Sequence, residues 1–137
     1  TIMRSKILIV DDRIQDVFLI KDTVNKEYPN TFDIYEANNG EQALDILKSM
    51  KIDLCLVDIN MPKMNGIRLL QEIEKANIKI VCIMMTTSSS DQDIEETKKC
   101  GALGYMVKPV NTNDRKNGII SIVSIFINNA FKYIRRD

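Results

Sequence analysis

Apolar runs rich in Ile, Val and Leu recur near residues 6–10, 32–36, 53–57, 80–85 and 104–107, and segments with helical spacing fill 14–27, 40–50, 66–76, 91–100 and 112–135. No other feature of the chain constrains its fold as much as this alternation. It reads as βαβ units, and so as an α/β fold with a parallel sheet covered by helices on both faces. The first, third and fourth runs are almost continuously hydrophobic, as strands buried on both sides must be. The second, Phe32-Asp-Ile-Tyr-Glu36, alternates apolar and polar residues and reads as an edge strand. A length of 137 residues fits one domain with a sizeable core, which we place at 4–135. There is no internal repeat, low-complexity tract or linker.

Punctuation residues support these boundaries. Asn39-Gly40 makes a turn before a helical stretch that begins at Glu41. Met61-Pro62 through Asn65-Gly66 reads as a loop leading into Ile67. Ser90, with Asp93 three residues on, resembles a capping box with Asp in the usual Glu place.

Four of the runs end in chemistry. The first runs into Asp11 and Asp12, the third into Asp58, the fourth into Thr86 and the fifth into Lys108. In an open parallel sheet all carboxyl ends lie along one edge, where ligands bind. Three carboxylates, a hydroxyl and an ammonium then converge on one site. The acids would repel one another and raise one another's pKa, a conflict that a hard divalent cation with oxygen ligands removes. That combination suits phosphoryl chemistry. Taken singly, each residue has a plainer reading: Asp11-Asp12 as a helix cap, Asp58 as a turn residue, Thr86 as a β-branched strand residue, Lys108 as a solvated lysine.

Composition narrows the classes. Lys plus Arg and Asp plus Glu both number 19, so no global field favours nucleic acid or an anionic membrane. No apolar stretch approaches the ~18 residues that span a bilayer, and the N-terminus has no signal h-region, which points to the cytoplasm. Three cysteines, an odd number, argue against a disulfide framework, and Cys55 and Cys82 read as buried small hydrophobes. The chain contains no histidine, which excludes histidine-based catalysis and a phosphohistidine of its own.

The pair Asp11-Asp12, the segment Val57-Asp58-Ile59-Asn60-Met61-Pro62 with Asn65-Gly66, Thr86, and Tyr105-Met-Val-Lys108-Pro109 together resemble a response-regulator receiver domain of two-component and phosphorelay signalling, the CheY-like superfamily. The similarity runs from about Arg4 to the 130s. It implies a flavodoxin-like doubly wound (βα)5 fold with a five-stranded sheet of order 2-1-3-4-5. It also implies a phosphoprotein that acts as a switch rather than an enzyme, with phosphoryl transfer from the phosphohistidine of a sensor histidine kinase or phosphotransfer protein. By the same resemblance Asp58 is the phosphoacceptor, and Mg2+ or Mn2+ binds Asp12, Asp58, the backbone oxygen of Asn60 and, through water, Asp11. Lys108 and Thr86 contact the phosphoryl oxygens. Thr86 and Tyr105 form the switch, which moves the surface of the fourth helix, fifth strand and fifth helix. Asn60 and Ser88 occupy positions that tune hydrolysis. The Lys108-Pro109 step is a cis candidate, and the first helix around Ile14 and Val17 a docking surface for the kinase.

Thr87 departs from the usual alanine and would narrow access to Asp58. This keeps open a pseudo-receiver, a binding module that takes no phosphoryl group. A phosphohydrolase of the haloacid dehalogenase type uses similar groups but needs a DxD motif, where this chain has Asp11-Asp12-Arg13 and Asp58-Ile59-Asn60. No glycine-rich phosphate loop follows the first strand.

The last segment is unusually apolar. Ile119, Val123, Phe126, Ala130 and Ile134 form one helical stripe toward the sheet, while Ile120, Ile127 and Phe131 lie off it. Either the buried face is wide, or the helix forms a homodimer or docks an output domain. With Arg136-Asp137 at the end we expect no output module in this chain, and so either a stand-alone receiver acting by protein contact or, as the start at Thr1 mildly favours, a receiver from a longer protein.

Overall fold

The computed structural model describes residues 4–87, 90–128 and, as backbone alone, 133–134. The elements are β1 (Ser5–Val10), α1 (Ile14–Glu27), β2 (Phe32–Ala37), α2 (Gly40–Ser49), β3 (Leu54–Asp58), α3 (Gly66–Lys75), β4 (Val81–Thr86), α4 (Asp91–Lys99), β5 (Gly104–Val107), α5 (Thr112–Asn128) and β6 (Tyr133–Ile134). Every strand pairing is parallel and the order is β2-β1-β3-β4-β5-β6. The doubly wound 2-1-3-4-5 sheet with five helices is therefore present, extended by a two-residue sixth strand.

Period-2 alternation along the strands divides the core in two. Leu8, Val10, Cys55, Val57, Cys82, Met84, Tyr105 and Val107 face one layer, where they meet Ala43 and Leu47 of α2 and Leu69, Leu70 and Ile73 of α3. Ile7, Ile9, Leu54, Leu56, Ile83, Met85 and Met106 face the other, against Val17, Ile20 and Val24 of α1 and Ile119, Ile122 and Val123 of α5. Fully burying one such aliphatic side chain contributes about 1.5–3 kcal/mol. Helix α4 is the most weakly held: Thr97 is its one fully buried side chain. The three cysteines are free thiols, with Cys55 and Cys82 buried on adjacent strands.

Three helix starts, those of α2, α3 and α4, carry side-chain caps. Asn39, Asn65 and Ser90 each accept a hydrogen bond from the backbone N–H three residues on. Gly66 is needed for another reason. A Cβ there would lie 2.7 Å from the Asp58 carbonyl oxygen and 2.9 Å from Ile59 Cα. The Gly66 N–H instead donates to the Ile59 carbonyl at 2.9 Å, so α3 starts hard against the end of β3.

Three expectations need correction. The last helix does not run to residue 135: it ends at Asn128, and Tyr133 and Ile134 pair with Tyr105 and Met106. The unpaired outer edge of β5 offers ladder hydrogen bonds to a passing segment, and Tyr and Ile suit an extended conformation. The buried face of α5 is also wider than the stripe read from sequence, since Ile122 and Ile125 are buried with Ile119 and Val123. Phe126 is partly buried, Ile120 half-covered and Ile127 exposed; Ala130, Phe131 and the Ile134 side chain lie outside the described residues. Among the described residues no peptide bond is cis, so Lys108-Pro109 takes the ordinary trans form.

Candidate functional site

The carboxyl ends of β1, β3, β4 and β5 bring Asp11, Asp58, Thr86 and Lys108 together. Asp11, just beyond β1, is buried, and its Oδ1 accepts from the Arg13 backbone N–H at 3.0 Å. Asp12 is exposed at the rim. Asp58, the last residue of β3, is 4% exposed and its Oδ1 accepts from the Asn60 N–H at 3.2 Å. Carboxylate oxygens of Asp11, Asp12 and Asp58 lie within 4.8 Å of one another.

Thr86 ends β4 and is completely buried; its Oγ1 accepts from Asn60 Nδ2 at 2.9 Å. Lys108 follows β5, tied to β4 by a 2.6 Å hydrogen bond from its backbone N–H to the Thr86 carbonyl. Its ammonium is 4% exposed, 2.8 Å from both Asp11 Oδ2 and Asp16 Oδ2 and 3.6 Å from Asp58 Oδ2. Tyr105 is fully buried in the cluster that holds Met84 and Val107. Thr87 is half-buried, and Ser88 lies outside the described residues.

Two members were absent from the sequence reading. Asp16 in the first turn of α1 is buried, and its Oδ1 accepts from Arg115 Nη1 at 2.8 Å while its Oδ2 accepts from Lys108. Arg115, near the start of α5, also donates through Nε to the Pro109 carbonyl. One signal was available: Asp16 stands four and eight residues before Ile20 and Val24, an acid on the apolar stripe of its helix.

The electrostatics follow from burial and charge. Asp58 is pushed up to about 6, chiefly by burial, against the pull of Lys108 and with repulsion from Asp11 and Asp12. Burial opposes the charge on Lys108 as well, but the surrounding carboxylates outweigh it and hold its pKa above the ordinary lysine value. For Asp16 the hydrogen bond and charge of Lys108, with Arg115 and Arg13, likewise overcome burial and keep its carboxyl below the ordinary value.

The donor set fits a hard divalent cation. The three clustered carboxylates of Asp11, Asp12 and Asp58 have one close cation, Lys108, so the cluster keeps an excess of negative charge. Three carboxylates with oxygens within 4.8 Å of one another supply the oxygen donors that such a cation takes, directly or through water.

Comparison with known proteins agrees with this geometry. The family model "Response regulator receiver domain" matches residues 7–119. Sporulation initiation phosphotransferase F of Bacillus subtilis is 37% identical over 117 residues, covering 85% of this chain and 92% of that protein. The transcriptional regulatory protein CpxR of Escherichia coli is 38% identical over 110 residues, but this chain spans 45% of its length. Among solved structures, the phosphorylated cyanobacterial phytochrome response regulator RcpA superposes with a TM-score of 0.85 at 23% identity, covering 93% of this chain and 97% of that one. The chemotaxis response regulator CheY4 of Vibrio cholerae does so with a TM-score of 0.77 at 25% identity, covering 90% and 99%.

The protein is thus a signalling switch of the two-component class rather than a classical enzyme. It belongs to the response regulator receiver domain family. Members of the family take phosphate from histidine kinases or phosphotransfer proteins and bind Mg2+ or Mn2+ at an acidic pocket, and relatives such as CpxR are longer than this chain. Among the described residues no helix is long and apolar enough to cross a membrane.

Proposed function

We propose that residues 4–135 act as one receiver domain that accepts a phosphoryl group on Asp58 from the phosphohistidine of a partner kinase or phosphotransfer protein, in the cytoplasm. The observation that carries this reading is the Lys108 ammonium 3.6 Å from Asp58 Oδ2, inside a cluster of three carboxylates within 4.8 Å of one another. An Asp58 oxygen bonds to phosphorus as the phosphorus–nitrogen bond breaks, and its electron pair returns to the donor's ring nitrogen. Such transfer depends mainly on positioning and charge stabilisation, and carboxylates form acyl phosphates readily enough to serve.

Asp12, Asp58 and the Asn60 carbonyl would hold Mg2+ or Mn2+, with Asp11 acting through water. When bound, the ion neutralises charge on the transferring group and draws Asp58 into its ionised, nucleophilic form. Lys108 would supply a second positive charge to the transferring group. The Thr86 hydroxyl, which accepts from Asn60, would donate its O–H to a phosphoryl oxygen. Asn60, Thr87 and Ser88 set the rate at which water reaches the acyl phosphate.

The added charge of about −1.5 to −2 then pulls donors inward. Thr86 and Tyr105 transmit this to the surface of α4, β5 and α5. A helix with a single fully buried side chain, α4, is the element that shifts at least cost. A second copy or an output domain would meet this surface with β6 occupying the β5 edge. The kinase would dock beside the acid pair on α1, where Ile14 and Phe18 are 83% and 68% exposed.

Intact mass after incubation with Mg2+ and acetyl phosphate or phosphoramidate tests the reading. One metal-dependent adduct is expected, stable in acid, labile to base and hydroxylamine, and absent from Asp58→Asn. A folded, Mg2+-binding chain that takes no adduct from either donor would instead be a phosphorylation-independent binding module.

A further inference from the structure

Lys108 has three N–H bonds to distribute, and the fold presents three carboxylates. Asp11 and Asp16 take one each at 2.8 Å, while Asp58 stands at 3.6 Å without a hydrogen bond. Asp11 belongs to the metal cluster, so its charge is shared when a cation binds. Asp16 is not among the clustered ligands. It is instead anchored from the far side by Arg115, whose guanidinium also holds the carbonyl of Pro109, the residue after Lys108. The lysine side chain is long and flexible, and a free one loses rotamer freedom when fixed. A buried carboxylate braced by an arginine is a device for fixing it in advance.

We infer that Asp16 is a positioning residue for the phosphoryl-transfer reaction: it tethers the Lys108 ammonium through one hydrogen bond and leaves a remaining N–H directed toward Asp58. The inference rests on the proposed phosphoacceptor reading. Asp16 touches neither the donor nor the phosphoryl group, and acts through Lys108 alone. Arg115 orients Asp16 and couples the tether to the first turn of α5. The ammonium therefore meets the incoming group preorganised, with no search over lysine rotamers.

The experiment is a double-mutant cycle on the rate of phosphorylation by phosphoramidate with Mg2+, read by intact mass for the native chain, Asp16→Asn, Lys108→Ala and the double variant. Asp16→Asn is expected to label about tenfold more slowly than the native chain, less than the roughly hundredfold that a 1 Å misplacement can cost, with Mg2+ affinity unchanged within about twofold. In the Lys108→Ala background the same change is expected to have no further effect, because its target is gone. Asp16→Glu keeps the charge and both cationic partners but moves the carboxylate by one methylene. It guards against a folding defect in the Asn variant and is also expected to label more slowly than the native chain.

An Asp16→Asn chain that labels at the native rate overturns the inference, as does an equal slowing with and without Lys108. A native rate in Asp16→Glu beside a slowed Asp16→Asn would reduce Asp16 to charge balance and overturn positioning. A native chain that takes no phosphoryl group removes the phosphoacceptor reading and this inference with it, and that outcome is visible before any variant is compared.

Discussion

Asn60 and Thr86 are joined by a hydrogen bond of 2.9 Å from the Asn60 amide to the Thr86 hydroxyl oxygen, which ties the loop after β3 to the end of β4. The hydroxyl accepts in this bond, which leaves its own O–H to donate, as the proposed contact with a phosphoryl oxygen requires. Asn60→Ala is therefore expected to lower stability in urea by about 0.5–1 kcal/mol, a typical net hydrogen-bond contribution. The same variant is expected to lose its phosphoryl group at a changed rate, as the proposed rate-tuning role of Asn60 requires; the decay of the acyl phosphate measures this.

Asp58 gives the metal-free protein a pH dependence. Its carboxyl is raised from 3.8 to about 6, so the folded state binds this proton more tightly than the unfolded chain. The protonated group's contribution is fully present below 3.8 and is lost as pH rises through about 6. Asp58→Asn removes a buried charge, and without metal is expected to be more stable than the native chain at pH 8 by about 2 kcal/mol. The gain should shrink toward pH 4. Urea unfolding in a chelator across that range checks the sign, and a gain that grows toward acid would contradict it.

Mg2+ should stabilise the fold through the same cluster. At one hundred times its dissociation constant a ligand bound only by the native state adds about 2.7 kcal/mol, roughly 8 °C in Tm for a chain of this size. Asp12 is exposed and makes none of the buried ion pairs around Lys108. Asp12→Asn is thus expected to leave the metal-free Tm within a degree or two while removing most of the Mg2+ shift. Thermal scans with and without the ion separate the two effects.

Gly66 is a steric requirement of the site. An added Cβ meets the Asp58 carbonyl oxygen at 2.7 Å, and backbone has little room to yield. Gly66→Ala is expected to destabilise by about 1–3 kcal/mol, the usual cost of overpacking. It should also slow phosphorylation by displacing the acceptor strand's end, whereas Gly101→Ala, with open space at its Cβ, should cost stability through its positive φ of 88° alone and leave the labelling rate unchanged. Comparing the two glycines by unfolding and by labelling rate tests this.

Much of the fold was legible from periodicity. Continuous apolar runs must be buried on both faces, so the central position of β1, β3 and β4 follows from their composition. Helical spacing, the turn residues Asn39-Gly40 and the cap residue Ser90 placed helix starts for the same local reason. The end of α5 escaped because Tyr133 and Ile134 suit a helix stripe as well as a strand, and the open edge of β5 decides between them. The wide buried face of α5 escaped too: which of its many isoleucines are covered depends on how the helix lies against α1 and the sheet.

By itself the sequence determined the order of strands and helices and the side chains that end the strands. Asp11, Asp58, Thr86 and Lys108 are each covalently placed at a strand's carboxyl end, and a parallel sheet carries those ends to one edge. Which anions share the Lys108 ammonium was decided only in three dimensions. Asp16 lies 92 residues from Lys108 and 99 from Arg115 along the chain. Such pairings depend on Coulomb attraction across a desolvated gap between α1, α5 and the end of β5. Neither spacing nor periodicity in a sequence encodes that distance.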